Sequence, residues 1–587
     1  MLKFFTIIFF VSFYTKASAQ YYIRGEVKNE KNQSLQNVKI FLHSSHMLYF
    51  TGANGGFGIL TPRLYDSLTF NAEGYEPKSI KVKSDGYQQI TLKMLFANIS
   101  VQKQSLVSFT KDMDPNADRN WLFGNESYSN LVENNFISAE KYPVTGFSVR
   151  ADKASYSNVR RFINQKSIVP PDAVRVEEML NYFNLNYTEP KPAEIFNISS
   201  QLTDCPWNIN HQLLMLDLSA KKIDIETVPA SNFVFLIDVS GSMDLPNRLP
   251  LLKASFQLLV KNLRDKDTVS IVTYGGSVGV WLPPTSGSEK QKIIKAIEEL
   301  DAAGDTPGEA AIRAAYRLAK STFINGGNNR VILATDGDFN VGETTEKALE
   351  ELISKERLSG IFLTCLGVGM GNYKDSKIEA LAKKGNGNFA YLDDIKEGEK
   401  VLVKELTQTL YTVASNVILN LQFNSTMVKE YRLIGYDNKK NVLSDTASKL
   451  EGGEVGSGSG VTAIFEIVPT EENLFPSDPF LEENIASIQL NYRLPGDSSQ
   501  KVATYTCDKN YKEFNQLKNN EKFTIAITMF GLILRNSKYA SYANFNEVEK
   551  IARSAKLKDD YLQTQFIEMV DKVKKIYAKK GKKRLKP

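Results

Sequence analysis

Between Ser231 and about Ser415 the chain alternates two kinds of hydrophobic pattern. Stretches 233–237, 268–273, 330–335 and 361–368 are short, apolar and rich in β-branched residues, the signature of buried strands. Between them, 251–263, 289–300, 309–320 and 345–358 read as amphipathic helices. Strands this apolar must be covered on both faces, which predicts an α/β doubly wound domain: a mainly parallel, Rossmann-like sheet between helical layers.

The flanks read differently. Helical spacing recurs at 155–163 and 173–183, where Asp172 is a plausible N-cap, and strand patterns follow at 211–218. Beyond 415, strands are expected at 417–423, 462–468, 485–492 and 501–506, and helices at 523–535 and 546–575. Near the start, 22–27, 38–42 and 67–70 read as strands, with a tight hairpin at Gly55-Gly56-Phe57-Gly58. The first residues pair Lys3 with an apolar run over 4–14 and end in Ala17-Ser18-Ala19, the pattern of an export signal cleaved before Gln20. That run is well short of the roughly 20 residues that span a bilayer, and no other run is long enough.

The chain is thus expected to be multidomain: signal peptide 1–19, β-sandwich 20–95, an Asn/Ser-rich linker 96–135, a helix-then-strand extension 136–230, the α/β domain 231–415, a β-rich segment 416–515, C-terminal helices 516–578 and a basic tail 579–587. Charged residues at 24% and hydrophobic residues at 42% exclude both wholesale disorder and a multi-span membrane protein. The formal charge of +5 misleads, because residues 572–587 hold nine Lys or Arg and no acid; without them the body carries −4. A nucleic-acid-binding body is therefore not expected. The tail reads as a solvated end, with contact to an anionic surface as the alternative.

With three His and three Cys, the chain has no CxxC pair and almost no candidates for a His-dependent nucleophile. His43 and His46 form HxxH without a nearby third ligand and read as a hydrogen-bonded or exposed strand pair. What remains is oxygen chemistry. Strand 233–237 runs into Asp238-Val239-Ser240-Gly241-Ser242, which delivers one carboxylate and two hydroxyls at the carboxyl end of a parallel sheet, where ligands bind. Thr306 lies in the loop before helix 309–320, and strand 330–335 ends at Asp336. Asp238, Ser240, Ser242, Thr306 and Asp336 can together surround one hard divalent cation, magnesium first, with manganese or calcium as alternatives.

Asp-x-Ser-x-Ser, the later Thr and the Thr335-Asp336-Gly337 turn resemble, in type, order and spacing, the metal-ion-dependent adhesion site (MIDAS) of von Willebrand factor A (VWA) domains. A wider resemblance, to bacterial VWA proteins of the YfbK type, rests on Pro143–Ser148, Ala154–Arg161, Asp172–Met179, Cys205-Pro206-Trp207-Asn208, Ala334–Gly342, Glu430–Tyr436 and Phe530 through Ser541. Gly25, Val27, Leu35, Val38, Ile40, Gly56, Phe57, Leu68 and Gly74-Tyr75 resemble the carboxypeptidase-regulatory-like β-sandwich, a non-catalytic spacer or adhesive module.

The resemblance implies an exported protein-binding module, periplasmic, outer-membrane-associated or extracellular, whose cation takes an Asp or Glu from a protein partner. The alternative is an envelope scaffold whose metal site is structural or empty. No catalytic residue is expected. Ser240 stands where a HAD-type phosphatase needs its second Asp, Gly367–Gly371 lacks the spacing of a dinucleotide loop, and a metal hydrolase would have only Asp305 or Asp338 as general base. By analogy with integrins and inter-α-trypsin inhibitor heavy chains, the β-rich flanks can form one sandwich carrying the VWA domain as an insertion. In that arrangement Cys205 and Cys507 are candidates for a disulfide.

Overall fold

The computed structural model describes residues 21–584 except 31, 73–74, 85, 94–125, 127, 129–130, 186, 276, 305–307, 338–345, 371–372, 374, 437–451, 471–483, 496 and 498. The expected signal peptide, most of the linker and the tip of the basic tail therefore lie outside the described residues. The chain divides into two compact units, 1–117 and 118–587.

Among the described residues of the first unit, seven strands form two sheets. β1 (Tyr21–Asn29), β4 (Gly56–Thr61) and β7 (Tyr87–Leu92) make one, in the order β4-β1-β7; β2 (Lys39–Leu42), β3 (Met47–Phe50), β5 (Tyr65–Asn71) and β6 (Lys78–Lys83) make the other, in the order β3-β2-β5-β6. Alternation of apolar residues turns Ile23, Val27, Val38, Ile40, Leu68 and Phe70 inward to one core. His43 donates to or accepts from Thr69 Oγ1 at 2.7 Å on the exposed face.

The second unit is organised around β12 (Ser231–Asp238), which is buried along its whole length. With β13 (Thr268–Gly275), β14 (Ser277–Ser286), β15 (Asn328–Thr335), β16 (Ile361–Val368) and β17 (Phe389–Leu392) it forms a six-stranded sheet in the order β14-β13-β12-β15-β16-β17. All neighbours are parallel except β13 and β14. Successive residues of β12 point to opposite faces: Phe233, Phe235 and Ile237 enter one core, Val234 and Leu236 the other. The first core packs on helices Leu249–Lys261 and Lys290–Glu298, the second on Gly308–Ser321, Glu346–Arg357 and Asp375–Lys384. The chain leaves β12 toward β13 but leaves β15 toward β16, so the sheet's topological switch point falls between β12 and β15.

This domain sits between strands that pair across it. β10 (Phe196–Asp204) and β11 (Gln212–Ala220), which precede it, share a sheet with β8 (Ile137–Ser138), β19 (Val428–Ile434), β21 (Gly460–Pro469) and β24 (Tyr511–Lys512). β18 (Thr412–Phe423) pairs with β9 (Val144–Ser148), β20 (Gly453–Gly456) and β22 (Asn484–Arg493), and β22 with β23 (Lys501–Asp508). Leu214, Leu216, Phe465, Leu419, Leu421 and Ile488 close the two sheets over a shared core. The other face of the first sheet, through Leu213, Met215 and Ile464, meets helices α1 (Ala154–Asn164) and α2 (Val176–Asn181) and the C-terminal helices. Cys205 lies in this helical core and Cys507 between the sheets, and both are buried free thiols, as is Cys365.

Two expectations are corrected. The helix expected over 546–575 is two, Phe545–Ala555 and Tyr561–Arg584, because Asp559 adopts φ 66° and Asp560 accepts from Gln563 N at 2.9 Å to start a new helix. The C-terminal end of the expected linker is docked: Glu126 is buried and pairs with Arg161 Nη1 at 2.6 Å, and Asn134 donates to the Leu433 and Gly435 carbonyls.

Buried ion pairs fix the helical layer to the α/β domain. Arg160 on α1 reaches Asp393 and Glu397, and also Gln565 on the last helix; Arg175 pairs with Asp375 at 2.5 Å. Breaking any buried pair leaves a desolvated charge, so Arg161→Ala, which strands Glu126, is expected to destabilise the second unit by about 3–5 kcal/mol in chemical denaturation. Glu454, at the sheet facing Arg330, is buried, and that burial lifts its carboxyl from 4.5 to about 8 against the pull of Arg330. A raised carboxyl makes stability full below 4.5 and progressively lost as pH rises to about 8. Glu454→Gln should therefore melt higher than wild type at pH 9 and equal to it at pH 4, read by thermal scans.

Candidate metal centre

Asp238 is the last residue of β12, and Asp336 follows the last residue of β15, so the switch point places both at one rim of the sheet. Both are shielded from solvent, at 0% and 1% exposure. The turn after β12 is shaped by its own side chain: Asp238 Oδ1 accepts the Ser240 N–H at 2.9 Å. The other oxygen, Oδ2, accepts from Thr335 Oγ1 at 2.9 Å, tying β12 to β15. The Ser240 and Ser242 hydroxyls are 3.1 Å apart, and Ser242 Oγ donates to Asp336 Oδ2 at 3.0 Å. Four of the five expected residues thus converge in one chain of hydrogen bonds, with Ser242, in a short 3₁₀ turn, the partly exposed member.

Thr306 lies outside the described residues. The loop leading toward it is stitched to the same turn, since Ala303 N donates to Val239 O at 2.6 Å and Gly241 N to Gly304 O at 3.0 Å.

Burial is the main reason the Asp238 carboxyl is lifted to about 6; the Asp336 charge adds to it, and hydrogen bonds from Ser240 and Thr335 oppose it. Two carboxylates share this dry rim, and the positive charge present is Arg248. Its Nη1 lies 2.7 Å from Asp336 Oδ2 and also donates to Ser242 O, while Nη2 donates to Met370 O at 2.8 Å. The donor set fits a hard cation: carboxylate and hydroxyl oxygens, no sulfur or imidazole. Among the described residues there is no cluster of three or more His, Cys, Asp or Glu that could hold a metal ion.

Sequence reasoning missed Arg248 and the loop at Gly369-Met370. A signal was present for the first. Arg248 caps the N-terminus of helix Leu249–Lys261, where the helix dipole disfavours a cation, so its charge must be answered elsewhere.

The model for the von Willebrand factor type A domain matches residues 232–409, the YfbK C-terminal model matches 408–576, and one described as von Willebrand factor matches 122–215. The chain is 36% identical over 473 residues to the uncharacterized protein YfbK of Escherichia coli (strain K12), covering 76% of this chain and 81% of that protein. Inter-alpha-trypsin inhibitor heavy chain H2 of Mesocricetus auratus is 26% identical over 209 residues, which are 34% of this chain and 21% of that protein. The solved von Willebrand factor type A protein from Catenulispora acidiphila covers 64% of this chain and 88% of its own, at 16% identity and a TM-score of 0.36. A VWA domain points to a protein-binding or scaffolding role. On the VWA match and the likeness along most of its length to YfbK, the chain belongs to the YfbK family of von Willebrand factor A proteins.

Proposed function

We propose that the protein is an exported, metal-dependent protein-binding module, periplasmic, outer-membrane-associated or extracellular, and not an enzyme. The observation that carries the reading is the convergence of Asp238, Ser240, Ser242 and Asp336 on one rim, linked by contacts of 2.9–3.1 Å. Asp238 and Asp336 would anchor a divalent cation, magnesium first. Ser240, Ser242 and, from its place in the sequence, Thr306 would add neutral oxygens without quenching its charge. The cation would supply Lewis acidity toward an Asp or Glu of a partner protein. Ser242 and the exposed Asp244 and Leu245 then form the rim that such a partner meets. Support for export is the pattern of residues 1–19; among the described residues no helix is long and apolar enough to cross a membrane. The N-terminal unit, with its resemblance to carboxypeptidase-regulatory-like sandwiches, acts in this reading as a spacer or adhesive module. The basic residues from Lys572 onward would add contact with an anionic surface.

A second reading, an envelope scaffold with a structural or empty site, is favoured by one contact: Arg248 already ties Asp336 to the Ser242 turn.

Immobilised protein incubated with envelope extract in magnesium is expected to retain a partner that EDTA releases, and Asp238→Ala should lose that partner while its far-UV dichroism stays unchanged. Retention in EDTA would contradict metal-bridged binding. A melting shift with Mn²⁺ but no EDTA-sensitive partner would favour the scaffold; a shift of about 2.7 kcal/mol in stability is expected at a hundredfold excess over Kd.

A further inference from the structure

We infer that Arg248 is a counter-cation built into the cup: it competes with a divalent ion for Asp336 and couples filling of the site to the backbone at Gly369-Met370. The inference rests on the metal-site reading above. Four buried arginines of the second unit, at 160, 161, 175 and 432, pair with carboxylates away from the rim: Asp393 and Glu397, Glu126, Asp375 and Glu178, and Glu466. Arg248 is buried to the same degree, at 6% exposure, yet the carboxylate within ion-pair distance of it, among the described residues, is Asp336. That is the carboxylate a cation in the cup would need.

The guanidinium is a planar fork of N–H donors that can meet a carboxylate and backbone carbonyls at once. Its fork joins three segments: Nη1 bridges Asp336 and the Ser242 carbonyl, and Nη2 holds the Met370 carbonyl. Space for it is reserved by Gly369. At φ 84° this residue sits where side chains are disfavoured, and an added Cβ would lie 2.6 Å from Arg248 Nε. The Gly369 carbonyl accepts in turn from Tyr391 OH, and the Tyr391 carbonyl accepts from Ser157 on α1 at 2.7 Å. A positive ion drawn to Asp336 faces the guanidinium, weakens the ion pair, and loosens the hold of Arg248 on Met370. One step further, this chain of contacts enters the helical layer. The cup should therefore bind cations less tightly than its oxygens alone would, and report its filling to the far side of β16.

The test is Mn²⁺ binding by electron paramagnetic resonance for the full chain and for Arg248→Gln, with thermal melting to confirm the fold, and amide exchange at Gly369-Met370 with and without Mn²⁺. Arg248→Gln is expected to bind Mn²⁺ about tenfold or more tightly, since one opposing charge has left a low-dielectric site. Wild-type exchange at Gly369-Met370 should rise with Mn²⁺, whereas in Arg248→Gln it should already be high and unresponsive. Binding in the variant alone would also support the inference. Equal or weaker Mn²⁺ binding by a folded Arg248→Gln would overturn the inference and leave the metal site standing. No Mn²⁺ binding by either protein would overturn the metal site itself. Should Arg248→Gln fail to fold, the wild-type exchange measurement decides alone: no change on Mn²⁺ addition overturns the coupling.

Discussion

Two carboxylates buried at one rim of a sheet must be answered by positive charge. Asp238 and Asp336 arrive there because β12 and β15 are neighbours whose connections diverge, and water is nearly excluded from both. Desolvation of that kind costs several kcal/mol per unpaired ion, which the hydrogen bonds from Ser240, Ser242 and Thr335 offset only in part. Arg248 answers one of the two charges. The hydroxyl-rich turn and the residual negative charge make the rest of the rim receptive to a hard cation.

The remainder of the second unit holds that rim still. The VWA domain lies between β11 and β18, and the strands on either side of it pair with one another, as β11 does with β21. Its sheet therefore hangs from a sandwich whose own core is closed by residues more than two hundred positions apart. Buried arginines then clamp helix Asp375–Lys384 and the turn after β17 to the N-terminal helices. Such pairs add little net stability, but breaking one is costly, so they fix orientation more than they strengthen the fold. A domain held this way can pass a small displacement at its rim into the helical layer as a change in docking.

Much of this was legible from the sequence because it is local. Phe233–Ile237 could be read as a buried strand from its apolar run, and Asp238, Ser240 and Ser242 could be read as a cup because they share one turn. The edge strand β14 was not expected, since its apolar residues do not keep to one face: Val280 and Trp281 are exposed while Leu282 is buried. Pairings such as Leu216 with Ala463 are set by which faces remain to be buried after the VWA domain forms, and periodicity does not carry that. The same holds for Glu126 and Asn134: their polarity resembles a linker, and the distant Arg161 and the carbonyls at the end of β19 make them structural. Arg248 escaped for a related reason, its partner Asp336 lying 88 positions away.

The central claim is that a single cation belongs among the oxygens at the ends of β12 and β15. Crystals grown in Mn²⁺ and measured at the manganese absorption edge test it most directly. The account requires one anomalous peak within bonding distance of the Ser240 and Ser242 hydroxyls and beside Asp336. Well-ordered density for those side chains with no anomalous signal between them would contradict it.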